Sequence, residues 1–136
     1  MKYLLLCSLF LPNWLNMISS LKIECSPIHT GRFFQYKNQG QLYSTIIRGD
    51  SVQMEINSQT GDTTNWKIHW IDNCSYSCQY ISGLKAKSDQ EIIFYKQSII
   101  VFCIKTLRKD YYTYNAEIKF NSQSKTFSDT VWRQIK

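Results

Sequence analysis

The sequence predicts an all-β domain, an antiparallel up-and-down β-barrel or a strongly curled meander of about eight or nine strands. Three observations lead there. Downstream of Gly31 the hydrophobic period is two, not the 3.6 of a helix. The breaks between alternating runs are short and made of turn-forming residues. Aromatic residues make up 15% of the 136-residue chain, against five Gly and two Pro, a balance that suits strands.

In chain order, residues 1–20 come first. Lys2 precedes the apolar run 3–11, a more polar stretch follows, and Ser19-Ser20 supply small residues. That is the layout of a secretory signal peptide cut near Ser20. The run is shorter than the roughly 20 apolar residues a bilayer requires, and Pro12, Asn13 and Asn16 interrupt a longer one. An N-terminal core element extended by Trp14 and Leu15 is the competing reading. Lys22-Ile23-Glu24 are not the small neutral residues that precede an acylated cysteine, so lipidation at Cys25 is not expected. Residues 21–136 then form a single exported domain. Losing Lys2 lowers the formal charge of +6 to +5. The longest later apolar run, 99–104, is strand-length, so no transmembrane segment is expected in the mature chain.

The strands follow in order. Residues 31–36 and 43–48 form the first two. Val52, Met54 and Ile56 alternate with Gln53 and Glu55 in the third. Trp66, Ile68 and Trp70 alternate with Lys67 and His69. Cys74, Tyr76, Cys78 and Tyr80 alternate with Ser75, Ser77 and Gln79. Residues 91–95 and 99–105 read as less regular strands. Tyr112, Tyr114, Ala116, Ile118 and Phe120 then alternate with polar residues, and 126–135 completes the set. Short polar turns imply that each strand pairs with its predecessor. Closing the sheet on itself removes two hydrophobic edges. The longest polar connection, 82–90, has room for a helical turn or a lid.

Cys7 leaves with the leader, so Cys25, Cys74, Cys78 and Cys103 remain, an even number in an oxidising compartment. On a strand, four steps of about 3.3 Å place Cys74 and Cys78 roughly 13 Å apart, beyond disulfide reach. We therefore favour Cys25–Cys74, with Cys78 and Cys103 either a second bridge or buried thiols. A zinc site is poorly supported, because C-x3-C has no second close pair and only His29 and His69 accompany it.

Beyond these elements, the run Cys25, His29-Thr30-Gly31-Arg32-Phe33, Ile47-Arg48-x-Asp50-x-x-Gln53-x-Glu55 and Ile68-x-Trp70-x-x-x-Cys74-x-Tyr76 resembles a family of small exported bacterial proteins of unknown function. The resemblance covers about the first two thirds of the mature chain and implies a lipocalin-like, calycin-type barrel. Gly31-x-Phe33 and Trp132-Arg133 are also similar to the first and last strands of calycin barrels, where a basic residue packs over an aromatic one. A Phe33–Arg133 contact is the expectation from that similarity. Neither resemblance carries catalytic residues to this chain.

The sequence holds no catalytic constellation. No serine sits in a nucleophile elbow, no Gly-rich phosphate loop is present, and Glu55 and Glu117 alternate opposite apolar residues as surface carboxylates would. We expect no enzyme activity, no cofactor and no metal. Arg48-Gly49-Asp50 spells an adhesion tripeptide, but Gly-Asp is first a turn. Asn73-Cys74-Ser75 fits a glycosylation sequon that a bridged Cys74 would leave unused. The basic residues are scattered, which argues against nucleic acid and for at most a weak association with an anionic envelope surface. The expected inward face includes Met54, Ile56, Trp66, Trp70, Tyr76, Tyr112 and Tyr114. A barrel of about eight strands is filled by side chains or holds one small ligand. The bulky rings favour filling, and the tyrosine hydroxyls favour a partly polar pocket for a small apolar or amphipathic molecule. A filled barrel would instead serve an envelope-associated structural or protein-interaction role.

Overall fold

The computed structural model describes residues 22–38, 40–85 and 88–135. The expected signal peptide and its cleavage site lie outside the described residues. Eight antiparallel strands close into one barrel in sequence order. They are β1 (Gly31–Tyr36), β2 (Leu42–Arg48), β3 (Val52–Asn57), β4 (Thr63–Asp72), β5 (Ser75–Ser82), β6 (Ile99–Leu107), β7 (Tyr111–Phe120) and β8 (Gln123–Trp132). Alternation sets the faces as expected on most of them. In β4, Trp66 and Ile68 are buried while Lys67 and His69 face solvent. In β7, Tyr112, Tyr114 and Ala116 form one buried row.

Two elements differ from the sequence reading. The segment expected as a strand at 91–95 lies in a helix, α1 (Asp89–Gln97). Its apolar run Ile92-Ile93-Phe94-Tyr95 has β propensity, but local capping outweighs it. The Ser88 hydroxyl accepts the Glu91 backbone N–H at 3.2 Å, Asp89 and Glu91 sit in the first turn, and Lys96 sits in the last. The last strand also starts three residues early and stops at Trp132. Phe120 pairs with Gln123 across a two-residue turn in which Asn121 has φ 53°, a conformation asparagine tolerates better than most residues.

The third difference reaches the interior. Across the β2–β3 hairpin Arg48 opposes Gln53 and Ile46 opposes Glu55. Ile46 and Arg48 are buried, and directly opposed residues share a face, so Gln53 and Glu55 turn inward. Met54 and Ile56 consequently point outward, with Met54 opposite Ile47. The expectation that Met54 lines the barrel and that Glu55 lies on the surface is therefore corrected. A buried arginine needs polar company, and this requirement selects the polar row of β3 for the inside.

One end of the barrel is plugged by the segment ahead of β1. Cys25 and Ile28 are fully buried there, at the start and the end of a short 3-10 turn that Cys25 caps and that spans Ser26–Ile28. A Cys25–Cys74 disulfide, with Cα atoms 5.2 Å apart, ties this plug to the β4–β5 turn. His29 stacks on Trp70 at 3.7 Å between ring centroids and donates from Nε2 to the Asn73 carbonyl. Cys78 and Cys103 are free thiols. Cys78 shares the buried interior row of β5 with Tyr76, whereas Cys103 lies between the inward Phe102 and Ile104, so the two thiols face opposite sides of the wall.

Candidate functional site

The interior is organised around a buried cation. Arg48 ends β2 beside the plug and is 3% exposed. Its Nε donates to Gln53 Oε1 at 2.7 Å and one terminal nitrogen donates to the Ile28 carbonyl at 2.9 Å. The other terminal nitrogen donates to both the Tyr76 and the Tyr112 hydroxyl, each at 2.9 Å. The guanidinium also lies over the Phe33 ring at 5.0 Å and the Tyr76 ring at 4.6 Å. Burial alone would pull its pKa down, but the two phenol oxygens outweigh that and hold it above the ordinary arginine value.

Arg48 thus takes the place over Phe33 that the calycin similarity assigned to Arg133. Arg133 instead donates to the carbonyls of Arg108 and Lys109 in the β6–β7 turn. Burial of Arg48 also removes the adhesion tripeptide as a presented motif, since its first side chain is sealed inside.

From Arg48 the polar chain continues up the barrel. Gln53 Nε2 donates to Glu55 Oε1 at 2.9 Å. Burial pushes the Glu55 carboxyl above the usual range, with Gln53 and Arg48 drawing it partly back. The Trp66 indole also lowers it, although that N–H meets no acceptor at hydrogen-bonding distance and angle. On the adjoining β2–β1 wall Ser44 donates to Gln35 Oε1 at 3.0 Å, and Gln35 Nε2 donates to the Tyr114 hydroxyl of β7 at 3.3 Å.

Between these walls lies a cavity of about 160 Å³. Trp66, Tyr76, Phe102, Tyr112 and Tyr114 supply its aromatic walls, and Gln53 and Glu55 line it as well. The four expected lining residues Trp66, Tyr76, Tyr112 and Tyr114 are brought together here. Trp70 is not among the lining groups; it faces the plug, stacked on His29. Tyr76, Tyr112 and Tyr114 are all pushed up in pKa, chiefly by burial, so their hydroxyls stay protonated near neutrality. Burial likewise raises the Cys78 thiol, leaving it a poor nucleophile.

Above the cavity, at the end away from the plug, a second recess of about 310 Å³ opens beneath α1. Glu55 and Trp66 line both spaces. Tyr95 of α1 packs near Trp66 and Tyr80, with centroids 6.3 and 6.4 Å away. Lys85 and Asp62 form an ion pair at 2.7 Å at this mouth. Among the described residues no group of His, Cys, Asp and Glu is placed to hold a metal ion, and no helix is long and apolar enough to cross a membrane.

Sequence reasoning missed Arg48, Gln53 and Glu55 as interior groups. Their signal was present in the spacing, because residues 48, 53 and 55 fall on one face of a hairpin turning at 49–51. No family model, no curated protein and no solved structure matches this chain.

Proposed function

We propose that this chain is an exported, non-catalytic barrel protein that holds one small apolar or amphipathic ligand inside the barrel. The observation that carries this reading is the cavity of about 160 Å³, walled by aromatic rings and sharing Glu55 and Trp66 with the recess under α1. An apolar cavity of about 150 Å³ is known to take benzene, so this volume fits one ring or a short chain. It is well below the volume that encloses a drug-sized molecule. An ordinary long acyl chain would therefore leave most of its length outside.

Export rests on the signal-peptide layout of residues 1–20 and accords with the Cys25–Cys74 bridge. The test is a tryptophan-fluorescence titration of the folded, oxidised chain with toluene, indole and a short-chain alcohol, repeated on Trp66→Phe. A saturable change in the parent that is lost in Trp66→Phe supports the reading. No saturable response to any probe refutes it.

One observation favours a second reading, a protein-interaction module. β8 meets β1 at a single pair, Phe34 with Trp132, and Gln123–Asp129 is exposed along its length, with Phe127 38% accessible. Such a strand offers an edge to a partner. Concentration-dependent self-association, or capture of a partner lost on Phe127→Lys, would favour it.

A further inference from the structure

The cavity walls carry hydrogen-bond donors with no acceptor in hydrogen-bonding geometry. Tyr76 and Tyr112 are 2% and 0% exposed, and each hydroxyl oxygen accepts from Arg48. A guanidinium has no lone pair and cannot accept in return. Neither phenol proton therefore reaches an acceptor. The Tyr114 hydroxyl accepts from Gln35 and likewise donates to no group. Trp66 is 8% exposed, and its indole N–H is buried without a partner. All four residues line the same cavity.

Buried donors left in this state are costly, and native interiors rarely keep several together. The opposing supply of acceptors is small. Glu55 already takes the Gln53 amide, and Ser44 and Gln35 are joined to each other. Arg48 adds a positive charge directly behind two of the donors, and none of its hydrogen bonds goes to a carboxylate. Glu55 is the one carboxyl among the cavity's lining residues, so acceptors and negative charge are few there.

Resting on the interior-ligand reading, we propose that the ligand is a one-ring-sized molecule with a carboxylate head, its oxygens accepting from the Tyr76 and Tyr112 hydroxyls and the Trp66 indole N–H. Arg48 acts through the phenols. Its cation polarises both O–H bonds and balances the ligand's charge without touching it, while the ring of the ligand lies among Phe102, Trp66 and Tyr114. The volume selects a single ring over a long acyl chain. An amine would meet the opposite situation, with a cation behind the cavity and Glu55 as its main acceptor.

Titratable groups around the head are Glu55 on β3, Tyr76 and Cys78 on β5, Tyr112 and Tyr114 on β7 and, at the rim, Asp129 on β8, with Arg48 on β2 behind. Of these, Glu55 is the group a bound carboxylate must tolerate, and burial, which raises its pKa, favours the form that carries a proton.

The experiment uses the full oxidised chain and a matched set of probes: benzoate, toluene and benzylamine. Benzoate is expected to bind at least tenfold more tightly than toluene. Tyr112→Phe and Tyr76→Phe should bring the benzoate-to-toluene affinity ratio close to one, and Glu55→Gln should not lower that ratio. Because each phenol also accepts from Arg48, one measurement avoids variants altogether. The resonance of carboxyl-13C benzoate should show the bound acid ionised about one pH unit or more below its free pKa. Toluene binding without a benzoate preference, bound benzoate held as the neutral acid, or a benzylamine preference abolished by Glu55→Gln would each overturn the head-group assignment alone. Binding of none of the three probes would overturn the interior-ligand reading with it.

Discussion

Replacing Arg48 with methionine removes the charge but keeps most of the side-chain volume, so the polar consequences dominate. The Ile28 carbonyl and the Gln53 amide oxygen each lose a donor, at 2.9 and 2.7 Å, in a region shut off from solvent by the plug. Each stranded buried group costs about 1–3 kcal/mol. Two phenols also lose charge-assisted bonds, each worth about 1.5–3 kcal/mol. Against this stands the cost of burying the guanidinium, several kcal/mol, which the variant no longer bears. Setting the desolvation against the phenol bonds leaves the two stranded acceptors, so the net loss is about 2–6 kcal/mol. Equilibrium urea unfolding followed by tryptophan fluorescence reads this directly. With a slope of about 2 kcal/mol/M the midpoint should fall by roughly 1–3 M. Arg48→Lys keeps the charge but offers three donors for four acceptors, so its midpoint should lie between the two. A methionine variant as stable as the parent, or more so, would refute the assignment of Arg48 as the interior's organising group.

Three further outcomes are expected. Folded Glu55 holds its proton to higher pH than the unfolded chain does, so stability falls as pH rises above the ordinary glutamate range. Glu55→Gln removes that fall: thermal melts should match the parent near pH 4 and exceed it near pH 7, by about 1.4 kcal/mol for each unit of the upward shift. Breaking the Cys25–Cys74 bridge as the double serine variant opens a loop of sequence separation 49, a loss of about 4 kcal/mol on chain entropy, and non-reduced peptide mapping should find these two cysteines linked in the parent. Gly83 has φ +96°, and a Cβ there would run into the Thr63 carbonyl oxygen, so Gly83→Ala should lower stability by about 1–3 kcal/mol. Gly49→Ala, whose nearest new contact is the Val52 carbonyl at 3.5 Å, should stay within about 0.5 kcal/mol.

Much of the wall could be read from the chain because β4, β5 and β7 alternate strictly and carry large rings on one side. The period identifies two faces but does not say which is inside. On β4 hydrophobicity decides it; on β3 it misleads, because Met54 and Ile56 are the apolar row and the interior instead requires partners for Arg48. The orientation of β3 depends on its neighbour across the hairpin, and no window confined to residues 52–57 contains that information. At 91–95 the local β propensity of Ile92-Ile93-Phe94-Tyr95 competed with Ser88-x-x-Glu91, a capping box visible in the sequence. Strand geometry excluded only a Cys74–Cys78 bridge, and the favoured Cys25–Cys74 pairing is the one that forms. The unspent donors needed three dimensions, since Tyr76, Tyr112 and Trp66 come from three strands and converge only on closure.

The single pairing that joins β1 to β8 bears on the order in which the molecule assembles. Every other ladder links strands adjacent in sequence, so hairpins can zip up one after another on the microsecond scale. Phe34 with Trp132 spans nearly the whole domain and gains little backbone bonding to offset the entropy of bringing the ends together. This seam closes last and reopens first, so amide hydrogens beside it should exchange faster than those of the long β6–β7 and β7–β8 ladders. The Cys25–Cys74 crosslink changes that kinetics. In the oxidised chain it holds the entry to β1 near the β4–β5 corner even with the seam open, so reclosure is the docking of one strand onto an anchored neighbour.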